Sequence, residues 1–352
     1  MSLTVKPAIY NLDFPEIRER ISAAREAQGL TALPRYRYSQ LETALGQGLA
    51  AVEELSTWSR QDRAFLGEIF DFSLPEIVRE QRSALDGSVK FGFRLQDGEH
   101  VEAVAMSYHH GWSLCVSSQV GCRMACRFCA SGRAGLRRNL RRSELIGQLL
   151  QAQRRLGLRL SRIVLMGIGE PFENYETVLS FLRYIHAMEA SGIGYRHMTI
   201  STCGLVPEIL RFAEEGLPVN LAISLHAPSQ ELRLKLMPVA RRYSLDELLA
   251  ACWAYTERTG RRLTFEYAMI GGVNDGEAEA RALAQLLKGR LCHVNLIPFN
   301  PFDEVDYQPS EGARIRAFQE LLEAQGIACT RRRSLGKDIM GACGQLRRSI
   351  ET

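Results

Sequence analysis

The chain has 352 residues, 46% apolar and 24% charged, a globular balance that excludes a disordered or fibrous protein. No stretch approaches the roughly 18 uncharged apolar residues of a membrane span, and residues 1–19 lack the pattern of a signal peptide, so a cytoplasmic protein without membrane attachment is expected. The nine cysteines are too sparse for a disulfide scaffold, and the net charge of +4 is unevenly spread. Residues 1–107 carry 12 basic and 16 acidic side chains, residues 108–352 carry 32 and 24. Between residues 121 and 143 there are seven arginines (Arg123, Arg127, Arg133, Arg137, Arg138, Arg141, Arg142) and no acid. A second basic cluster, Arg331, Arg332, Arg333, Lys337, Arg347 and Arg348, closes the chain. Two such clusters repel unless a polyanion joins them.

In chain order, apolar spacing predicts short amphipathic helices over 13–28, 39–48 and 63–68, then strands over 88–95 and 102–107 around the Gln96-Asp-Gly98 turn. A β/α alternation follows. Strands are expected at 114–118, 162–166, 197–201, 219–225, 263–269 and 293–297. Helices are expected at 143–156 with Ser143 as N-cap, and at 174–187, 207–215, 245–259, 277–288 and 312–324. Such repeats imply a parallel sheet, open or curled into a partial barrel, with its ligand face at the carboxyl ends of the strands. The charge change and the end of the helical segment suggest a boundary near residue 107.

Cys122-Arg-Met-Ala-Cys126-Arg-Phe-Cys129 follows the first strand of this series, and its three thiols can face one point. A structural zinc site wants a fourth ligand, and none lies nearby in sequence. Three cysteines on a cubane iron–sulfur cluster leave one iron open to a small molecule, which places iron–sulfur ahead of zinc. Cys203, Cys252, Cys292 and Cys329 read as small buried apolar residues.

Here the sequence resembles a family. CxxxCxxC after the first strand of a βα series resembles the signature of radical S-adenosylmethionine (SAM) enzymes. Further motifs narrow the match: Leu114-Cys-Val-Ser-Ser-Gln-Val-Gly-Cys122, Met166-Gly-Ile-Gly-Glu-Pro171, Ser224-Leu-His-Ala-Pro228, Gly272-Val-Asn-Asp275, Val294-Asn-Leu-Ile-Pro-Phe-Asn-Pro301 and Ala342-Cys-Gly-Gln-Leu346. Together, from about residue 102 to 346, they resemble the RlmN/Cfr family of RNA adenine methyltransferases.

The resemblance implies an α/β fold: a partial (βα) barrel radical SAM core at 108–338, a helical accessory domain at 1–85, a β-hairpin linker at 86–107 and a C-terminal tail at 339–352. It implies a [4Fe-4S] cluster on Cys122, Cys126 and Cys129, and SAM against Gly169, Glu170, Ser201, Ser224, Leu225, His226 and Asn300. Two SAM molecules are consumed per turnover. The aromatic carbon is no nucleophile, so the family uses radical chemistry: one SAM methylates Cys343, a second provides the radical that activates that methyl, and the methylene joins the adenine. Cys115 then releases the product by forming a disulfide with Cys343. Glu102 is implied as the acceptor of the ring proton. Seen alone it is an ordinary strand acid. Gly341 stands where the family has alanine, a change expected to loosen the tail loop, and Ile168 where it often has methionine.

The partners implied are 23S rRNA near the peptidyl-transferase centre, tRNA beside the anticodon and an electron donor such as flavodoxin, with the enzyme a monomer. Pro171 resembles RlmN more than Cfr, favouring carbon 2 of adenine over carbon 8. Carbon-8 methylation giving antibiotic resistance, and a zinc-dependent RNA-binding protein without catalysis, remain the alternatives.

Overall fold

The computed structural model describes residues 6–188 and 191–347. Arg348 and the end of the expected tail lie outside the described residues. Three helices open the chain: α1 (Phe14–Ala27), α2 (Arg35–Gly46) and α3 (Arg60–Ile69). The Glu16 carboxylate accepts from the Asp13 amide at 2.6 Å and fixes the start of α1. Helix α2 begins directly after Pro34, four residues before the expected start. Helix α3 begins at Arg60 because the Ser59 hydroxyl accepts from the Asp62 amide.

Four antiparallel strands follow: β1 (Glu76–Arg82), β2 (Val89–Arg94), β3 (His100–Tyr108) and β4 (Gly111–Cys115). The change of charge near residue 107 does not coincide with a break in the sheet, because β3 pairs directly with β4 across a tight turn. After a two-stranded ribbon, β5 (Gln119–Gly121) and β6 (Leu136–Asn139), come α4 (Arg142–Leu156), β7 (Arg162–Leu165), α5 (Tyr175–Ala187), β8 (Met198–Thr202), α6 (Val206–Glu214), β9 (Asn220–Ser224), α7 (Gln230–Leu236), α8 (Leu245–Thr259), β10 (Leu263–Met269), α9 (Glu277–Leu287), β11 (Cys292–Pro298), α10 (Gly312–Ala324) and β12 (Cys329–Arg331).

The main sheet has ten strands in the order β1-β2-β3-β4-β7-β8-β9-β10-β11-β12. From β4 onward all neighbours are parallel and consecutive, the winding of a barrel left open between β4 and β12. Strand residues such as Ile163, Ile200, Leu221 and Phe265 are buried in one core with the helices. No helix among the described residues is long and apolar enough to cross a membrane.

Two expectations need correction, and five elements were not expected at all. Ser143 is not the N-cap of α4: the helix starts at Arg142, Glu144 accepts from the Arg141 amide, and the Ser143 amide donates to Asn11 Oδ1. The strand expected at 114–118 ends at Cys115, because the Ser117 amide leaves the sheet for Gln148 Oε1. Strands β1, β5, β6 and β12 and helix α7 had no sequence counterpart. The first and last of these strands are the sheet's edges, where charged residues replace apolar alternation.

Candidate active site

The cysteine loop spans the gap between β5 and β6. Its base is closed by the Cys122 amide, which donates to Gly135 O at 3.2 Å. Gly121 permits this approach: its φ is +79°, and a Cβ there would lie 1.9 Å from Gly135 O. The Cys129 amide turns back to Cys126 O, and the Arg127 amide docks on Leu236 O at the end of α7. As a result Cys122, Cys126 and Cys129 line one cleft of about 910 Å³, its open mouth included. Burial pushes all three thiols up, Cys122 to about 12, so they would need a bound cation to be held as thiolates. Among the described residues no three His, Cys, Asp or Glu side chains are arranged to hold a single metal ion. Three thiols around a roomy cleft suit a polynuclear cluster better than tetrahedral zinc.

Gly169, Glu170, Ser201, Ser224, His226 and Asn300 line the same cleft. Gly169 has φ +111°, and a Cβ there would lie 2.7 Å from the Gln119 side chain. Glu170 is buried, accepting from the Cys203 amide at 2.7 Å and the Phe172 amide at 3.0 Å. Burial raises its pKa against those bonds. His226 sits at φ +57° and accepts at Nδ1 from the Ala268 amide at 2.8 Å. Burial, then the charge of Arg233, lowers its pKa to about 3, so the ring is neutral with its proton on Nε2. Leu225 is the exception among the expected SAM residues: its side chain is fully buried in the core and does not line the cleft.

Two further features fit an ionic cofactor in this cleft. Asn300 donates to Cys343 O at 3.1 Å, but its Oδ1 is buried without a partner, an acceptor suited to an ammonium or hydroxyl group. Arg233 is wholly buried. Its Nη2 donates to Cys203 O at 2.7 Å, while Nε and Nη1 have no partner, leaving a cation beside Cys126 and Cys203 that would offset the negative charge of a cluster bound there.

The tail returns over β3 and β4. Leu335 and Leu346 pack against Val104, Met106 and Cys115 in a small apolar cluster. Ser131 Oγ donates to Leu346 O and the Ala130 amide to Gly344 O, tying the tail to the cysteine loop. Cys115 and Cys343, 228 residues apart, thereby line one small cavity, unbridged. Burial, then the nearby Cys343, pushes the Cys115 thiol up to about 12. Gly341 lies in a bonded segment, its amide donating to Gly336 O at 2.8 Å. Glu102 is buried rather than solvent-facing. It pairs with Lys90 at 3.1 Å and accepts from the Arg347 amide at 2.9 Å.

Sequence reasoning gave no role to Arg332, which lines the cleft, to Arg233, which bonds Cys203 O, or to Lys90, which pairs with Glu102, and it read Cys203 as plain core although it lines the cleft. No local pattern marks Lys90 or Arg233. Arg332 was one of a basic cluster, yet it points inward to Met166 and Cys343. The arginine run also divides. Arg142 is buried against Asp13 and Tyr10 O, where it docks the N-terminal module. Arg138 is held by Asp97 and Glu144, and Arg123 by Glu173. Arg133 bonds the backbone of Arg127 and Glu304. Arg127, Arg137 and Arg141 are exposed and carry no ion pair among the described residues.

Residues 116–284 match the radical SAM superfamily. The chain is 48% identical over 314 residues to a probable dual-specificity RNA methyltransferase RlmN of Alkaliphilus metalliredigens (strain QYMF), covering 89% of each. It is 49% identical to a protein of the same description from Desulforamulus reducens (strain ATCC BAA-1160 / DSM 100696 / MI-1), over 87% of each. A crystal structure of a radical SAM methyltransferase from Sphaerobacter thermophilus superposes with a TM-score of 0.91 at 44% identity, over 97% of this chain and 100% of that one. With a three-cysteine loop, a cleft beside it and a returning tail cysteine, the chain belongs to the RlmN family of radical SAM RNA methyltransferases.

Proposed function

We propose that this enzyme methylates carbon 2 of an adenine in 23S rRNA near the peptidyl-transferase centre, and of tRNA beside the anticodon. The observation that supports the route is the meeting of Cys115 and Cys343 on one cavity wall beside the cysteine loop. When bound on Cys122, Cys126 and Cys129, the cluster and SAM supply one-electron reduction and the methyl group, two SAM per turnover. Asn300 and the Ala130 amide hold the loop that presents Cys343, the methyl acceptor. Glu102, buried beneath the tail, takes the proton from the ring carbon. The Cys115 sulfur then bonds to the Cys343 sulfur as the bond from Cys343 sulfur to the methylene carbon breaks, and that carbon keeps the electron pair and takes up the Cys115 proton to become the methyl group. Burial keeps the Cys115 thiol protonated and inert until then. We place the enzyme in the cytoplasm as a monomer served by an electron donor such as flavodoxin.

Nucleoside mass spectrometry of rRNA and tRNA tests this, using a strain lacking the protein and the same strain resupplied with it. Loss and return of 2-methyladenosine in both RNAs is expected. Appearance of 8-methyladenosine instead would overturn the carbon-2 assignment.

A further inference from the structure

Lys90 on β2 and Glu102 on β3 are diagonal neighbours on one face of the sheet: Lys90 lies opposite Val104, and Glu102 opposite Gly92. Both are buried, 7% and 6% exposed, with Nζ 3.1 Å from Oε1. Each partner also grips the tail. Lys90 Nζ donates to Met340 O at 3.4 Å, and Glu102 Oε2 accepts from the Arg347 amide at 2.9 Å. The two grips fall at either end of the segment 340–347, with Cys343 between them. A buried ion pair adds little net stability by itself, because apolar residues of similar size replace it without loss. Its use here is geometric: it fastens both ends of the loop that carries the transfer thiol.

We propose that Lys90 is a positioning residue for the transfer reaction, keeping Glu102 an oriented carboxylate and, through that pair, holding both ends of the Cys343 loop. This rests on the roles given above to Cys343 and Glu102. It also orders events. The ring proton passes to Glu102, the C–H electron pair staying in the ring. Neutral Glu102 no longer pairs with Lys90, and its bond from the Arg347 amide loses charge assistance. The loop ends loosen at the stage when Cys343 must turn to Cys115.

Hydrogen exchange of the 340–347 segment in the full chain, without cofactor, tests the grip. Lys90→Met should speed exchange there on the order of tenfold, the worth of one charge-assisted bond. Lys90→Arg should restore it, and Lys90→Met with Glu102→Gln should exchange no faster than Lys90→Met. Where the single variant fails to fold, the double variant, which leaves no orphan charge, supplies the reading. In cells, Lys90→Met should still carry methyl on Cys343 but accumulate a nuclease-sensitive RNA-shifted protein band, which Lys90→Arg abolishes. Unchanged exchange in Lys90→Met, or no restoration by arginine, overturns the proposal. Wild-type protein that never gains methyl on Cys343 would overturn the proposed route and leave the exchange result standing.

Discussion

The guanidinium of Arg332 lies 3.7 Å from the sulfur of Cys343 and donates to it. Burial opposes the arginine's charge, but Cys343, Glu266 and Tyr108 more than offset that and raise its pKa. The contact holds the Cys343 sulfur toward the cavity that it shares with Cys115. Arg332→Met should therefore slow alkylation of Cys343 by iodoacetamide, because the sulfur loses the donor that orients it. Cys115, buried and held protonated, should stay unreactive in both proteins. Peptide mass spectrometry of the cofactor-free protein reads both sites.

Cys126→Ala should lose most of the iron after anaerobic reconstitution, together with all cleavage of SAM. Two thiols cannot replace three around an open iron. Full iron content in that variant would exclude Cys126 as a ligand.

On the proposed route, Cys115 and Cys343 should fail differently when each is replaced. Cys343→Ala has no methyl acceptor, gains no protein-bound methyl and does not react with RNA. Cys115→Ala is still methylated but lacks the releasing thiol, so a covalent RNA–protein species accumulates. Denaturing electrophoresis with and without nuclease distinguishes them. An equal shifted band from both variants would reject the assigned roles.

Replacing Arg127, Arg137 and Arg141 together should flatten the dependence of log affinity for RNA on log salt by roughly 0.7–0.9 for each phosphate no longer neutralised. Arg138→Ala should instead lower the thermal midpoint, since it strips Asp97 and Glu144 of their cation. Filter binding across a salt series measures the first and calorimetry the second. An unchanged slope in the triple variant would make those arginines a solvated face.

His226 gives a pH signature. Its folded pKa of about 3 lies below the ordinary 6.5. Between those values the unfolded chain binds a proton that the folded chain refuses, so this residue costs stability progressively as pH falls through that window and nothing above it. His226→Asn should be less stable than wild type at pH 7, with the gap narrowing by pH 5. Thermal midpoints of the cofactor-free proteins at the two pH values test this, and a constant gap would mean that His226 titrates normally.

The sequence by itself determined the βα alternation and the position of the cysteine loop after the first parallel strand, whereas the tail cysteine was singled out by the family resemblance alone. Periodicity and spacing are relations between near neighbours, and apolar faces must be buried wherever the chain goes. Charge is different, because its meaning depends on what the fold brings opposite. In the arginine run, Arg142 and Arg138 became internal struts while Arg137 and Arg141 stayed exposed, although all four look alike in sequence. Glu102 looked like a solvent-facing strand acid until the tail, 245 residues on, placed the Arg347 amide against it. Lys90, Arg233 and Arg332 gained roles only from contacts of the same kind. The side chain of Leu225, named by its motif, packs in the core because it is apolar, so any contact it makes to a ligand would come from its backbone. Tertiary structure decided which polar groups meet, since a buried charge is tolerated only where the fold supplies its partner.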